Sequence, residues 1–273
     1  DFHHAVRRRE STLDPLQIAQ MGIDAQAAAA GFHDPDAQHI FREPRRRSRS
    51  PTVAQAVAES LVAVGPAFAV QVAHPGRNRF VDAGGLVLGI CNGFQLLVKL
   101  GVLPALDGKR FERQVSLSHN DSARYEDRWV QLKPNPDSPC IFTKGLAVHG
   151  VLPMPVRHGE GKLVARDAAT LQRLQDENLI ALQYTHPETG EATQEHPWNP
   201  NGVVPEIASR KHVEAIAGLT DPTGHILGLM PHPEAFHHAT NHPGWTRGEV
   251  AVPGTALFAN AVRYLRENPV NHS

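Results

Sequence analysis

The 273-residue sequence has only two cysteines, Cys91 and Cys140. Two cysteines in different sequence contexts are too few for a disulfide framework, which excludes the small disulfide-stapled folds of secreted proteins. The beginning of the chain also lacks the apolar core of a signal peptide. We therefore expect a reduced, cytoplasmic protein.

The sequence also lacks an excess of charge of either sign, because 27 basic residues nearly balance 28 acidic ones and the formal net charge is −1. This balance gives no overall indication of a nucleic-acid or membrane-surface partner. No apolar run approaches the length of a transmembrane helix, and no Walker-type phosphate-binding loop is present. The 17 histidines form neither an HExxH sequence nor a cysteine-paired zinc pattern, so we expect no metal site.

The chain divides into an atypical region, residues 1–80, and a region with regular patterns, residues 81–273. Residues 1–80 contain no lysine, tyrosine, tryptophan or cysteine but ten arginines, several of them in the run 42–50. This run favours a solvated, poorly ordered loop, with phosphate contact as the alternative. No strand is predicted here, but one helix is predicted after residue 52. Its apolar face would contain Val53, Val57 and Leu61.

From residue 81 onward, strand and helix patterns alternate. The apolar run Leu86–Ile90 is typical of a buried parallel strand. A helix should follow it and end near Gly101, and its apolar face would contain Phe94, Leu97, Val98 and Val102. Further strands are predicted at 129–133, 179–184 and 225–230. A C-terminal amphipathic helix is predicted from Phe258, Ala261, Val262 and Leu265. The alternation predicts an α/β fold with a mostly parallel central sheet flanked by helices, and a site at the carboxyl ends of the strands.

The sharpest local pattern is the G-x-C-x-G sequence at 89–93, which lies where the first strand of this region should pass into a helix. The analogous G-x-S-x-G elbow presents a nucleophile on a tight turn, and the glycines prevent clashes of the turn with nearby backbone. The helix that follows directs its positive end at Cys91, which favours the reactive thiolate, and the N–H of Asn92 is placed to bind an oxyanion. The competing interpretation is a buried, inert cysteine beside two packing glycines.

A cysteine nucleophile needs a base and a group that orients the base. The sequence Pro-His-Pro-Glu at 231–234 follows a predicted strand, and the two prolines favour an extended backbone there. In extended backbone, positions i and i+2 point the same way, so His232 and Glu234 are predicted to share a face. The alternative is an ordinary surface loop, because a His-x-Glu sequence arises easily by chance among 17 histidines.

Five segments, in order within residues 81–247, together resemble one known family. They are GLVLGICNGFQ at 85–95, SHNDSARYEDRW at 118–129, LPMPVRHGEG at 152–161, NPNG at 199–202 and GLMPHPE at 228–234. The set resembles the class I, or triad, glutamine amidotransferases. Within them it is most similar to the glutaminase subunits or domains of phosphoribosylformylglycinamidine synthase. For residues 81–273 the resemblance implies the class I amidotransferase fold.

The resemblance also implies an activity. Cys91 would attack the side-chain amide carbon of glutamine, His232 would shuttle the proton, and Glu234 would orient His232. Ammonia leaves and water releases glutamate from the thioester. The residues implied to shape the glutamine site are Asn92, Gly93, Gln95, His158, Gly159 and Glu160. Ammonia would pass to a synthetase subunit or domain that converts formylglycinamide ribonucleotide to the amidine. No cofactor is expected in this chain, because ATP and magnesium would belong to the synthetase partner.

Residues 1–80 depart from the pattern of that family, which has a sheet strand and a Gly-Gly loop in this part. The loop normally supplies a second oxyanion N–H, but no Pro-Gly-Gly sequence precedes Cys91, and Gly84 and Gly85 lie too near the elbow strand. The length before Cys91 is nevertheless that of the family. One hypothesis is therefore that residues before about 80 are an out-of-frame reading of a GC-rich gene. Smaller departures are Ala235, where many relatives have arginine, and a long connection at 205–213.

Three alternatives stand beside an active amidotransferase. The nearest is a catalytically impaired relative that lacks an intact oxyanion loop and keeps only its contact with the synthetase. Another is a cysteine hydrolase with a similar elbow and a different substrate. The last is a nucleic-acid-binding module that uses the arginine run, for which binding would weaken steeply with salt.

Overall fold

The computed structural model of the chain describes residues 61–63, 79–202, 215–249 and 251–269. The arginine run at 42–50, most of the segment suspected to be out of frame, and the connection at 205–213 lie outside the described residues. Within the described ranges, no helix is both long enough and apolar enough to cross a membrane.

The described chain contains both strands and helices, as expected for an α/β protein. The strands are β1 (Leu61–Ala63), β2 (Leu86–Ile90), β3 (Val115–His119), β4 (Glu126–Pro134), β5 (Leu152–His158), β6 (Glu160–Ala165), β7 (Ile180–Thr185), β8 (Ile216–Thr220) and β9 (Ile226–Leu229). The α-helices are α1 (Arg79–Asp82), α2 (Asn92–Lys99), α3 (Ala168–Asp176) and α4 (Thr255–Glu267), and among the short 3-10 helices one spans Pro233–Ala235. Strands and helices do not alternate throughout, since β3 to β6 and β7 to β9 follow one another without an intervening α-helix among the described residues. The strands and helices predicted within residues 81–273 are therefore all present, with small differences at their ends.

Among the described strands, seven form one sheet in the order β1-β2-β9-β8-β7-β4-β5, and β3 and β6 form a separate antiparallel pair. The pairs β1–β2 and β2–β9 are parallel, whereas the other four pairs of the large sheet are antiparallel. The α/β prediction is correct, but the large sheet is mixed and not mostly parallel, since only the two strand pairs that include β2 are parallel. One physical reason is that β8 and β9 are joined by residues 221–225 alone, which are too few for the crossover that a parallel pair requires.

Leu61 belongs to a strand, so two predictions for residues 1–80 are wrong. The prediction of a helix face that includes Leu61 fails, and so does the prediction of no strand in this region, because Leu61–Ala63 pair with Leu86–Leu88 in parallel. Strand formation depends on pairing with residues far away in the sequence, which the local spacing of apolar residues does not reveal. Val53 and Val57 lie outside the described residues.

Strand β2 is buried on both faces, which fixes the position of the residue that follows it. Leu86 and Leu88 pack into the apolar cluster that contains α4, whereas Val87 packs into the cluster on the other face, which contains α2. The four apolar residues predicted for the C-terminal helix are all buried in α4. Covering both faces of β2 makes its carboxyl end a rigid support for Cys91.

Candidate active site

Cys91 lies at the junction predicted for it, between the last residue of β2 and the first residue of α2. Its backbone has φ 52° and ψ −107°, a conformation that non-glycine residues rarely adopt. The Cys91 N–H donates to the carbonyl of Leu229 on β9 at 2.8 Å, and its carbonyl accepts from the N–H of Gln95 at 3.1 Å. These two hydrogen bonds hold the strained turn, so the backbone around Cys91 has the geometry of a nucleophile elbow.

The tight elbow depends on a glycine at position 89. A Cβ added to Gly89 would lie 2.5 Å from a methyl carbon of Leu97 and 2.9 Å from the backbone of Gly93. Gly228 on the adjacent strand has a similar role, because a Cβ there would overlap the ring of Phe94. The helix can therefore approach the sheet only where side chains are missing.

The Cys91 side chain is partly exposed, and its sulfur faces backbone from another part of the chain. Sγ lies 3.7 Å from the carbonyl oxygen of Arg157 and 3.9 Å from Oδ1 of Asn92. The second cysteine differs, because Cys140 is fully buried and burial raises the pKa of its thiol. Of the two thiols, only Cys91 is accessible to a substrate.

His232 and Glu234 lie in the turn that follows β9, and the structure brings their side chains into contact. Nδ1 of His232 is 2.6 Å from Oε1 of Glu234, and both side chains are largely buried. The N–H of His232 donates to the carbonyl of Pro155 at 2.8 Å, which ties the turn to β5. The two side chains therefore meet as predicted, but the extended backbone assumed for them is wrong, because Pro233–Ala235 form a short 3-10 helix. The alternative of an ordinary surface loop does not fit their burial.

The surroundings of His232 favour its protonated form. Burial alone would lower the pKa of His232, but hydrogen bonding to Cys91 and to Glu234 outweighs it and raises the pKa to about 9. Nε2 of His232 is buried and has no partner within ordinary hydrogen-bond geometry among the described residues. The Cys91 side chain is nevertheless near enough to contribute to the raised pKa of the imidazole. At neutral pH the imidazole is thus a cation that directs its free N–H toward the site.

The segment 157–161 forms another wall of the site. Nε2 of Gln95 donates to the backbone carbonyl of Glu160 at 2.7 Å, so the structure joins two of the residues that the resemblance implied. The Glu160 carboxylate itself is half exposed and lies 3.3 Å from His119. His158 is buried, and burial together with the charge on His232 lowers its pKa to about 4. Gly159 contributes its carbonyl, which accepts from the N–H of Asn120 at 2.9 Å.

The remaining two predicted residues, Asn92 and Gly93, begin α2 directly beside Cys91. The two glycines before β2 do not reach the site, because Gly84 and Gly85 lie at its amino end and Cys91 at its carboxyl end. A five-residue strand separates these ends by roughly 17 Å. Residues 64–78, where a Gly-Gly loop facing Cys91 would be sought, lie outside the described residues.

Sequence reasoning gave no role to several residues that the structure places at or behind the site. The Arg157 carbonyl faces the thiol, and Asn120 binds the 157–161 segment through several hydrogen bonds. Tyr184 is fully buried, and burial raises the pKa of its hydroxyl, with a further contribution from Cys91. Asn120 lies in one of the family-like segments and Tyr184 in a predicted strand. Nothing local to either residue indicates that the chain brings Asn120 to the 157–161 segment and Tyr184 near Cys91.

Comparison with known proteins agrees with this geometry. Residues 75–265 match the family described as "CobB/CobQ-like glutamine amidotransferase domain". The phosphoribosylformylglycinamidine synthase subunit PurQ of Dehalococcoides mccartyi is 39% identical over 194 residues, which cover 70% of this chain and 68% of that protein. The subunit of the same name from Methanococcus maripaludis is 37% identical over 202 residues, which cover 70% of each chain.

One solved structure has a partly similar shape. "Structure of PurLQS from Thermotoga maritima" matches with a TM-score of 0.45 and 24% identity, covering 72% of this chain and 68% of that chain. This likeness is too weak to support an argument about the present chain, so the assignment rests on the family match and the sequence relatives.

A family match over residues 75–265 places the chain in the class of glutamine amidotransferases. The relatives identify a particular family within this class, because their similarity extends over about two thirds or more of both sequences. The chain belongs to the family of PurQ subunits of phosphoribosylformylglycinamidine synthase. The resemblance inferred from the five motifs is thereby confirmed. The boundary predicted at residue 80 stays a prediction, although the family match begins close to it.

Proposed function

We propose that this chain hydrolyses glutamine at Cys91, His232 and Glu234 and supplies the ammonia to a synthetase partner. The observation that carries the proposal is the His232–Glu234 contact of 2.6 Å in the turn beside a cysteine in elbow conformation. A buried carboxylate that orients an imidazole next to a nucleophile is the arrangement of a catalytic triad.

In the first half of the reaction, the Cys91 thiolate attacks the carboxamide carbon of glutamine. A C–S bond forms and the carbonyl electron pair moves onto oxygen. When the tetrahedral intermediate collapses, the C–N bond breaks and the leaving nitrogen takes the proton from Nε2 of His232. The products are ammonia, a glutamyl thioester and a neutral imidazole. The raised pKa of His232 fits this order, because the histidine must begin as an acid.

In the second half, water attacks the thioester carbon and gives a proton to Nε2 of His232. Collapse of this intermediate breaks the C–S bond, releases glutamate and restores the Cys91 thiolate beside a protonated imidazole. Glu234 holds Nδ1 through both halves, so that Nε2 always faces the reacting atoms. The N–H of Asn92, at the start of α2, is the proposed oxyanion donor on this side of the site.

The remaining binding roles follow the residues around Cys91. Gln95, Gly93 and the segment His158–Gly159–Glu160 are proposed to shape the glutamine site, because Gln95 and Glu160 join the nucleophile helix to that segment. Since the relatives are subunits of phosphoribosylformylglycinamidine synthase, the partner is the synthetase component. ATP and magnesium are proposed to bind that component and not this chain. Both cysteines are free, and we propose a cytoplasmic location, where thiols stay reduced.

The catalytically impaired alternative makes a different prediction for the same site. The names of the relatives do not favour it. An oxyanion hole that lacked one donor would lower kcat by about 10²- to 10³-fold. The elbow cysteine would then still react with an electrophile, but turnover would stay low even with the partner present.

The test is to treat the full chain, with and without its synthetase partner, with a chloroketone analogue of glutamine. Mass spectrometry then locates the adduct, and ammonia release measures turnover. We expect labelling at Cys91, protection by excess glutamine, and glutaminase activity that is lost in Cys91→Ser. Cys140→Ser is the matched control, because it removes the other thiol and should leave both signals unchanged. Absence of labelling with the partner present contradicts the proposal, and labelling without turnover identifies the impaired alternative.

A further inference from the structure

Asn120 lies directly after β3 and is almost completely buried. Its side-chain amide group donates to the backbone carbonyl of His158 at 2.9 Å and to that of Arg124 at 3.1 Å. Its Oδ1 accepts from the N–H of Gly161 at 3.2 Å. The two amide hydrogens are therefore directed at carbonyl oxygens, and Oδ1 is the acceptor side of the group.

This orientation decides which ring nitrogen of His158 carries a hydrogen. Nδ1 of His158 lies 3.1 Å from Oδ1 of Asn120. Because Oδ1 can only accept, Nδ1 must donate and therefore holds the hydrogen of the neutral ring. Nε2 is then an acceptor, and it is buried with no hydrogen-bond partner among the described residues. Burial and the nearby charge of His232 keep the pKa of His158 at about 4, so the ring is neutral at pH 7.

The same side chain holds the segment that faces the nucleophile. Besides the bonds to His158 and Gly161, the backbone N–H of Asn120 donates to the Gly159 carbonyl at 2.9 Å. The segment is also held by Gln95, whose Nε2 donates to the backbone carbonyl of Glu160 at 2.7 Å. Asn120 and Gln95 thus both hold a segment whose first carbonyl, that of Arg157, lies 3.7 Å from the Cys91 sulfur.

We propose that Asn120 is a positioning residue of the glutaminase site, which fixes the His158 tautomer with Nε2 as an acceptor and holds the 157–161 segment against Cys91. This inference rests on the proposed function. A neutral His158 leaves His232 as the single cationic imidazole of the pair, and two such cations close together would repel each other. Glu126 also faces His158 across the β4–β5 pair, but its carboxylate is engaged by Arg128, Ser122 and His196.

The first test needs no substitution. Nitrogen-15 NMR of the full chain, labelled at histidine and assigned through the backbone, reports which ring nitrogen of His158 is protonated. We expect a neutral ring with hydrogen on Nδ1 at pH 7, which is the minor tautomer of histidine in water. A hydrogen on Nε2, or a charged ring at pH 7, overturns the inference. This readout is independent of turnover, so it separates a failure of the inference from a failure of the proposed function.

Two substitutions then connect the tautomer to the reaction. In Asn120→Leu the acceptor is lost, so we expect a mixed His158 tautomer and a fall of about 10²-fold in kcat with the synthetase partner, because the segment beside the nucleophile moves. In Asn120→Asp the acceptor remains and a charge is added, so we expect a protonated His158 at neutral pH. Activity of this variant should then recover as pH rises and His158 loses its proton.

Asn260→Leu is the matched control, because Asn260 is also a buried asparagine whose amide donates to two carbonyls, those of Phe142 and Lys144. We expect this control to be less stable but to keep the wild-type kcat and His158 tautomer. If Asn120→Leu and Asn260→Leu lower kcat equally, Asn120 is only structural. If Asn120→Asp leaves His158 neutral, the proposed link between them is wrong.

Discussion

The buried His158 and the largely buried His232 should make the free energy of unfolding depend on pH in opposite directions. The pKa of His232 is raised from 6.5 to about 9 in the folded protein, and that of His158 is lowered from 6.5 to about 4. Each folded-state value differs from the value in the unfolded chain, so each histidine links proton binding to folding. The perturbation is pH, applied to the wild type and to His158→Gln and His232→Gln.

The sign of each contribution follows from the direction of the pKa change. A raised pKa means that the folded state binds the proton more tightly, so the stability from His232 is complete below pH 6.5 and is lost as pH rises to about 9. A lowered pKa means the reverse, so the stability from a neutral His158 is complete above pH 6.5 and is lost as pH falls to about 4. Because one pKa unit corresponds to about 1.4 kcal/mol, each contribution is about 3 kcal/mol.

The measurement is urea unfolding of the full chain between pH 4 and 9, followed by fluorescence. The wild type should be most stable near pH 6.5, and its free energy of unfolding should fall on both sides. We expect His158→Gln to flatten the acid side and His232→Gln to flatten the alkaline side. The reasoning is refuted if His158→Gln keeps the full acid dependence, or if His232→Gln keeps the full alkaline dependence.

Three further predictions concern the elbow, the triad and the sheet edge. Glu234→Gln should lower kcat by about 10³- to 10⁴-fold and move the alkaline limb of the pH–rate profile to lower pH, because His232 keeps Cys91 but loses the carboxylate that also raises its pKa. Substitution of the exposed Glu191 by Gln is the control, and an unmoved limb in Glu234→Gln contradicts the role of Glu234. Gly89→Ala should destabilise the fold by about 1–3 kcal/mol, measured by thermal unfolding, since the new Cβ would lie 2.5 Å from a methyl carbon of Leu97. An unchanged Tm would contradict this close packing of α2 on β2. Removal of residues 1–74 should cause aggregation, measured by light scattering, because β2 loses its partner β1 and becomes an open sheet edge. A soluble variant that still reacts with the electrophile at Cys91 would show that β1 is dispensable.

The elbow was predictable from the sequence because its determinants are neighbours in the chain. The strand, the cysteine and the helix lie within 86–99, and Gly89 contacts Leu97 only eight positions away. The His232–Glu234 contact also joins near neighbours in the chain, but the extended backbone assumed for it is wrong, because Pro233–Ala235 form a short 3-10 helix. Local spacing is therefore sufficient to predict that two groups meet where they are close in sequence.

The opposite wall of the site could not be derived in this way. Asn120 meets His158 across 38 residues, and Gln95 meets Glu160 across 65. Those contacts depend on strand pairing and register, which local periodicity does not encode. The motif resemblance did indicate Gln95 and the 158–160 segment, but it could not state that they touch, and it gave Asn120 no role. Strand β1 escaped prediction for the same reason, because only its pairing with β2 makes it a strand.

The hydrogen-bond partners of the two histidines explain how one residue type takes opposite protonation states in one site. Burial acts in the same direction on both, because it lowers the pKa of each imidazole. Hydrogen bonding to Cys91 raises the pKa of His232 alone, and the two rings also differ in the group that accepts from Nδ1. For His232 this group is the Glu234 carboxylate, whose negative charge stabilises the imidazolium. For His158 it is the neutral amide oxygen of Asn120, which orients the ring without compensating a positive charge. Together with Cys91, a charged acceptor therefore makes His232 an acid that can protonate the leaving nitrogen, whereas a neutral acceptor makes His158 a fixed, uncharged neighbour that does not compete for the proton.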